Sequence, residues 1–222
     1  ENIRNNINND KNDNPKLNII NVDINNKNIN VIQDGDLFVG TKQRVVVPFL
    51  KTLSKEIKTV VYVGTYNGYG AVATAFGAHR LGLKCKVFLS AIATGSLEKS
   101  SIENIMKTRQ ILTLMALNAK IYICNNYGLA RKEMYKIIDN NDDHYKIPMG
   151  LNDENDVMVN LLAKQIKIAV KNTKLETVKN PRIWLVAGSG GILTALNIAL
   201  KKYNPTFFIF LTGGGRYKQR VL

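Results

Sequence analysis

The sequence predicts an α/β fold with mainly parallel sheets and helices on both faces. Three observations carry this reading. Short β-branched and aromatic runs alternate with helical patterns of ten or more residues. The runs are continuously apolar, as strands buried on both faces must be. The connections are long enough for crossovers, the geometry that joins parallel strands.

The elements follow in chain order. Residues 1–30 hold thirteen Asn and read as a low-complexity arm that cannot by itself bury enough apolar surface to offset its ordering entropy. Residues 31–33 read as a short strand before a turn at Asp34-Gly35-Asp36. The pattern predicts a helix over 42–57 after Gly40, then a buried strand over 59–63, TVVYV. A glycine-rich loop spans 64–70. A small-residue helix over 71–81 ends at Gly82. Strand 85–89, helix 97–117, strand 120–124 and helix 129–138 follow. Residues 139–152 read as a polar loop. Helix 156–171, strand 183–187, helix 192–202 and strand 207–211 complete the pattern, before a basic tail over 212–222. The body, 31–211, reads as one domain of two lobes sharing a cleft.

Composition narrows the class. The chain has 222 residues, 45% of them hydrophobic, enough for a sizeable core. No apolar run reaches the roughly 20 residues of a membrane span, and no basic-plus-apolar leader opens the chain. The first residue is Glu1, so either a leader has been removed or the chain is a trimmed piece. Two isolated cysteines, Cys85 and Cys124, make neither a disulfide framework nor a zinc site. Both read as buried small hydrophobes and fit a reducing compartment, cytoplasmic or mitochondrial. His79 and His144 lie too far apart in sequence to suggest a metal site or a triad. Trp184, at the start of a strand, reads as core.

The net charge is +14. Residues 1–38 carry four basic and six acidic side chains, a net of −2, which leaves +16 on the rest. Such an excess attracts phosphate backbones and anionic surfaces. It also follows from the Asn- and Lys-rich coding of an AT-rich genome. The tail Gly213-Gly214-Gly215-Arg216-Tyr217-Lys218-Gln219-Arg220 can grip the phosphate of a cofactor or of RNA, or be a solvated end.

Three segments carry chemistry. Gly188-Ser189-Gly190-Gly191 follows a strand and opens a helix. Glycines there let backbone N–H groups face a phosphate, and the helix start adds donors and partial positive charge. No Gly-Lys-Ser/Thr follows, so it is no Walker loop, and no acidic residue lies at the dinucleotide spacing. The second segment is Gly40-Thr41-Lys42-Gln43-Arg44. A lysine at the start of an apolar helix, once desolvated, can condense with an aldehyde. The third is Gly64-Thr65-Tyr66-Asn67-Gly68-Tyr69-Gly70. Here Asn67 can hydrogen-bond a ring oxygen, and Tyr66 or Tyr69 can stack on a planar cofactor.

The order of these segments resembles fold type II pyridoxal-phosphate (PLP) enzymes, a tryptophan-synthase-β-like fold. The likeness is to the branch with 1-aminocyclopropane-1-carboxylate (ACC) deaminase and D-cysteine desulfhydrase. It spans about residues 31–215. GTKQR, the Tyr-Gly-Tyr loop, Ala-Gly-Ser-Gly before the late helix and Pro148-Met149-Gly150-Leu151-Asn152 also resemble a set of short phage and viral PLP-type proteins. The resemblance implies a Schiff base on Lys42 and a ring contact from Asn67. It implies a phosphate cup at Gly188, Ser189, Gly190 and Gly191. Thr212 is the candidate partner of the pyridine nitrogen. The family's C-terminal stretch is lacking, so the fold is expected in truncated form, its cofactor retained or lost. Two functions follow as expectations. One is a PLP-dependent lyase or deaminase acting on a small amino acid. The other is an inactive PLP-fold domain serving as an RNA-contacting structural subunit of a large assembly such as a mitochondrial ribosome.

Overall fold

The computed structural model describes residues 17–35, 37–93, 96, 98–151, 155–171, 178–188 and 190–211. Of the sequence expectations, the start of the arm, Asp36, Ser189, Asn152, Thr212 and the basic tail lie outside these residues.

The described residues open with an antiparallel hairpin, β1 (Ile19–Ile24) and β2 (Lys27–Ile32). Its turn is Asn25-Asn26, both at positive φ, 52° and 60°. Asparagine tolerates that left-handed region, and two such residues make the turn type whose twist matches paired strands. The arm reading therefore missed a hairpin. Its Ile/Val–Asn alternation has the strand period of two, masked by the asparagine count.

A four-stranded parallel sheet runs in the order β5-β4-β3-β6. Its strands are β3 (Thr59–Thr65), β4 (Lys84–Ser90), β5 (Lys120–Cys124) and β6 (His144–Lys146). Alternation along β3 and β4 divides the core. Val60, Tyr62, Val87 and Leu89 join the larger apolar cluster. Val61, Val63 and Phe88 pack with Ala130 and Met134 of α5 (Tyr127–Ile138) on the other face. The larger cluster is built with α1 (Gln43–Leu50), α2 (Tyr69–Leu81), α4 (Arg109–Ala116) and α6 (Val157–Lys171). Helix α2 ends where expected, with Gly82 at φ 68°, a left-handed cap that suits glycine.

Three local readings change. The expected helix 42–57 stops at Leu50. The expected helix 97–117 is two pieces, α3 (Ile102–Met106) and α4, each capped by a side chain. Ser101 accepts from the Asn104 N–H and Thr108 from the Ile111 N–H. The loop 139–152 contains β6, paired in parallel with Thr59–Val61 of β3. Its three residues are too few to show a period. Polar contacts tie it down: His144 lies 2.7 Å from Lys86 Nζ through Nε2 and 2.6 Å from Asp143 Oδ1 through Nδ1. The Asp143 carbonyl also accepts from the Lys58 and Thr59 N–H groups.

A separate parallel pair, β7 (Arg182–Ala187) and β8 (Thr206–Leu211), flanks α7 (Gly191–Leu200). Trp184 is not core: it is 62% exposed and stacks on Phe208 at 4.2 Å. The apolar run does form a strand, but the face that carries Trp184 is uncovered by the described residues. Cys85 is buried as expected, whereas Cys124, on the edge strand, is half-exposed. Among the described residues no helix is long and apolar enough to cross a membrane.

Candidate functional site

Asp34 organises the Lys42 segment. Its carboxylate accepts from Thr41 Oγ1 at 2.6 Å and from Arg44 Nε and Nη2 at 2.9 and 2.6 Å. Arg44 is 1% exposed, so this is a buried charge met by an acid. Gly40, at φ 68°, lets the chain turn sharply into the short 3₁₀ stretch Gly40–Lys42 that leads into α1. Gln165 of α6 donates to the Arg44 carbonyl at 2.9 Å and fixes α1 from behind. Sequence reasoning named Asp34 in a turn and Arg44 beside Lys42 but missed their pairing. An acid ten residues before an arginine is no signal until the chain folds.

With Thr41 and Arg44 so engaged, Lys42 and Val46, one helical turn apart, line a small cavity. Tyr62, Gly70, Ala73, Thr74, Ile147, Pro148, Gly150 and Met158 complete its wall. None of these is acidic. Burial alone pulls the Lys42 amine below its ordinary value of 10.5, because an ammonium is poorly solvated there. Burial pushes the Tyr62 phenol well above its ordinary 10.0. Thr74 Oγ1 donates to the Gly70 carbonyl at 2.9 Å, tightening the first turn of α2.

The other expected residues are placed differently. Asn67 lies in the turn before α2, its carbonyl accepting from Gln110 Nε2 at 3.2 Å. It is not in the cavity wall. Tyr66 bonds Ser100 Oγ at 2.7 Å and Tyr69 is exposed. The aromatic ring beside Lys42 is therefore Tyr62, not either loop tyrosine. No local signal in the sequence separates Tyr62 from the valines of β3 around it.

Gly188 is exposed, and Gly190, at φ 88°, is the residue from which α7 starts. This loop does not line the cavity either. The two are connected through the short turn Met149–Leu151, which packs against α7 while Gly150 reaches the cavity. The Pro148–Leu151 segment, noted in the sequence without a role, thus stands between lysine and glycine loop.

The sequence matches no protein-family model and no curated protein. Solved structures do resemble it. An ACC deaminase homologue superposes with a TM-score of 0.67 at 19% identity, over 87% of this chain and 59% of that one. A fungal L-serine ammonia-lyase from Rhizomucor miehei gives 0.66 at 12% identity, over 92% of this chain and 62% of that one. A pyridoxal 5'-phosphate-dependent aspartate racemase gives 0.51 at 14% identity, over 74% and 45%. The chain thus spans between 45% and 62% of the length of these proteins. At such identities the likeness establishes the fold, which is that of fold type II PLP-dependent enzymes.

Of the groups PLP would need, the desolvated lysine for the aldehyde is in the cavity wall, whereas the glycine turn and helix start that would take the phosphate lie outside it, beyond Gly150. The volume is also small. The cavity measures about 20 Å³, against roughly 300 Å³ or more for ordinary small-molecule pockets.

Proposed function

We propose that the chain is a PLP-dependent deaminase- or lyase-like protein acting on a small amino acid, with Lys42 as its central residue. The observation that carries this reading is the Lys42 amine, buried in a wall without acids and held below its ordinary pKa. A lysine so placed is neutral, and hence nucleophilic, at a lower pH than a surface lysine. PLP, when bound, supplies an electron sink for charge developing at the substrate α-carbon. Lys42 Nζ takes and returns the α-proton. On this reading Gly188, Ser189, Gly190 and Gly191 would hold its phosphate, with Asn67 the candidate for its ring oxygen and Thr212 for its ring nitrogen. The similar structures, an ACC deaminase homologue, an L-serine ammonia-lyase and a PLP-dependent aspartate racemase, support this chemistry. The same reading places two lobes within residues 31–211, the four-stranded sheet in one and β7–β8 in the other. Two unpaired thiols suit a reducing compartment, cytoplasmic or mitochondrial. The RNA-contacting alternative rests on charge, and no described feature adds to that argument.

The test is an absorbance scan of the protein with PLP, before and after borohydride, followed by peptide mapping. The expected result is a band at the edge of the visible and a reduced adduct on Lys42, both lost in Lys42→Met. Adducts spread over surface lysines, unchanged in Lys42→Met, would overturn the reading.

A further inference from the structure

Glycine loops beside a reactive lysine usually leave room for something from outside. Here the chain itself fills that room. Tyr62 is 7% exposed and lies over both ends of the 64–70 loop. A Cβ built on Gly70 would sit 2.0 Å from the Tyr62 hydroxyl oxygen, and one on Gly64 2.7 Å from a ring carbon, Cε1. Neither glycine has a positive φ. They are therefore required by the close approach of the phenol, not by backbone conformation. The same phenol forms the wall of the Lys42 cavity, whose remaining volume of about 20 Å³ holds little more than one water.

We infer that Tyr62 is an internal plug: its flat ring occupies the slot beside Lys42 that a planar six-membered ligand ring needs, and such a ligand enters when Tyr62 rotates out. This rests on the proposed cofactor reading and adds a residue that decides access to it. The displaced group is uncharged. Burial keeps the phenol protonated and favours the neutral amine. No ammonium–phenolate pair holds the plug; its ring is held by burial. A ligand ring that stacks where the phenol lay replaces that burial.

The experiment compares PLP binding to the whole chain in wild type, Tyr62→Ala, Tyr62→Val and Tyr62→Phe. Affinity and loading rate are read by absorbance and by borohydride adducts on the Lys42 peptide. Tyr62→Val keeps a side chain like those of its strand neighbours and serves if the alanine variant does not fold. The expected gain in affinity for Ala and Val is about 10- to 100-fold, the cost of exposing a buried aromatic side chain. Tyr62→Phe, which keeps the ring, should behave as wild type. Equal affinity across all four chains would overturn the plug and leave the cofactor reading intact. Weaker binding in Ala and Val would also overturn it, making Tyr62 a stacking partner instead. Adducts on Lys42 in none of the four would overturn plug and cofactor reading together.

Discussion

The sheet β5-β4-β3-β6 and the pair β7–β8 are both parallel, and both contain strands rich in apolar residues. They differ in what lies against them. In β3, six consecutive residues from Thr59 to Gly64 are buried, because helices cover both faces. In β7, exposure alternates: Ile183 and Leu185 face the core, whereas Trp184 and Val186 are 62% and 61% exposed. Across the ladder, Trp184 faces Phe208 and Val186 faces Phe210, itself 60% exposed. A parallel sheet is ordinarily covered on both faces. An apolar run thus states that a strand forms; it does not state how many faces are covered.

The comparison can be broken first at its strongest point. Phe88 is buried between α5 and the sheet and stacks on Tyr122 at 4.5 Å. Phe88→Ala should cost about 3–5 kcal/mol in urea unfolding. Next is Gly77 of α2, where a Cβ would meet Leu50 Cδ1 at 2.8 Å and Val46 at 3.0 Å. Gly77→Ala should cost about 1–3 kcal/mol as overpacking of the α1–α2 contact. Trp184→Ala removes a stacked pair on an open face and should cost only about 0.5–1.5 kcal/mol. A loss as large as that of Phe88→Ala would mean the face is covered in solution. The emission of Trp184, the one tryptophan of the chain, should be solvent-exposed in character and open to iodide quenching.

Two titrations sharpen the contrast between interior and edge. Burial pushes the Cys85 thiol up to about 12, so it should resist thiol reagents until the chain unfolds. Cys124 on β5 is half-exposed and should react first, although burial and the nearby Glu133 raise its pKa as well. For Lys42 the folded pKa lies below the unfolded value of 10.5. Between the two, the unfolded chain holds a proton that the folded chain has lost, so stability rises with pH across that window. Below the folded pKa the penalty of the buried ammonium is fully present. Lys42→Met should therefore be more stable than wild type at low pH, with the advantage vanishing above 10.5.

The sequence made the strand–helix alternation legible because β3, β4, α2 and α6 each carry long apolar or periodic runs. Strand 120–124 was read to the residue, since a turn at Asn118 and a polar pair, Asn125-Asn126, bound it. The hairpin 19–32 was not, because asparagine counts conceal a period-two pattern. Strand β6 was not, because three residues have no period. Within the site, Lys42 was legible from its place before an apolar helix. Tyr62 was read only as strand, because local pattern cannot show that its ring passes over two glycines of the following loop. The Asp34–Arg44 pair was invisible for the same reason: it is a contact, not a pattern.

The contacts that tie down β6 also fix the tautomer of His144. A lysine ammonium has donors and no acceptor. Its 2.7 Å contact with His144 Nε2 therefore makes that nitrogen the acceptor, which puts the single imidazole hydrogen on Nδ1, directed at Asp143. The three side chains form a row with one sense of donation, from β4 through the edge strand to the loop before it. His144 is thus the tautomer opposite to the one that prevails in free histidine, and its ring-nitrogen resonances should carry that signature.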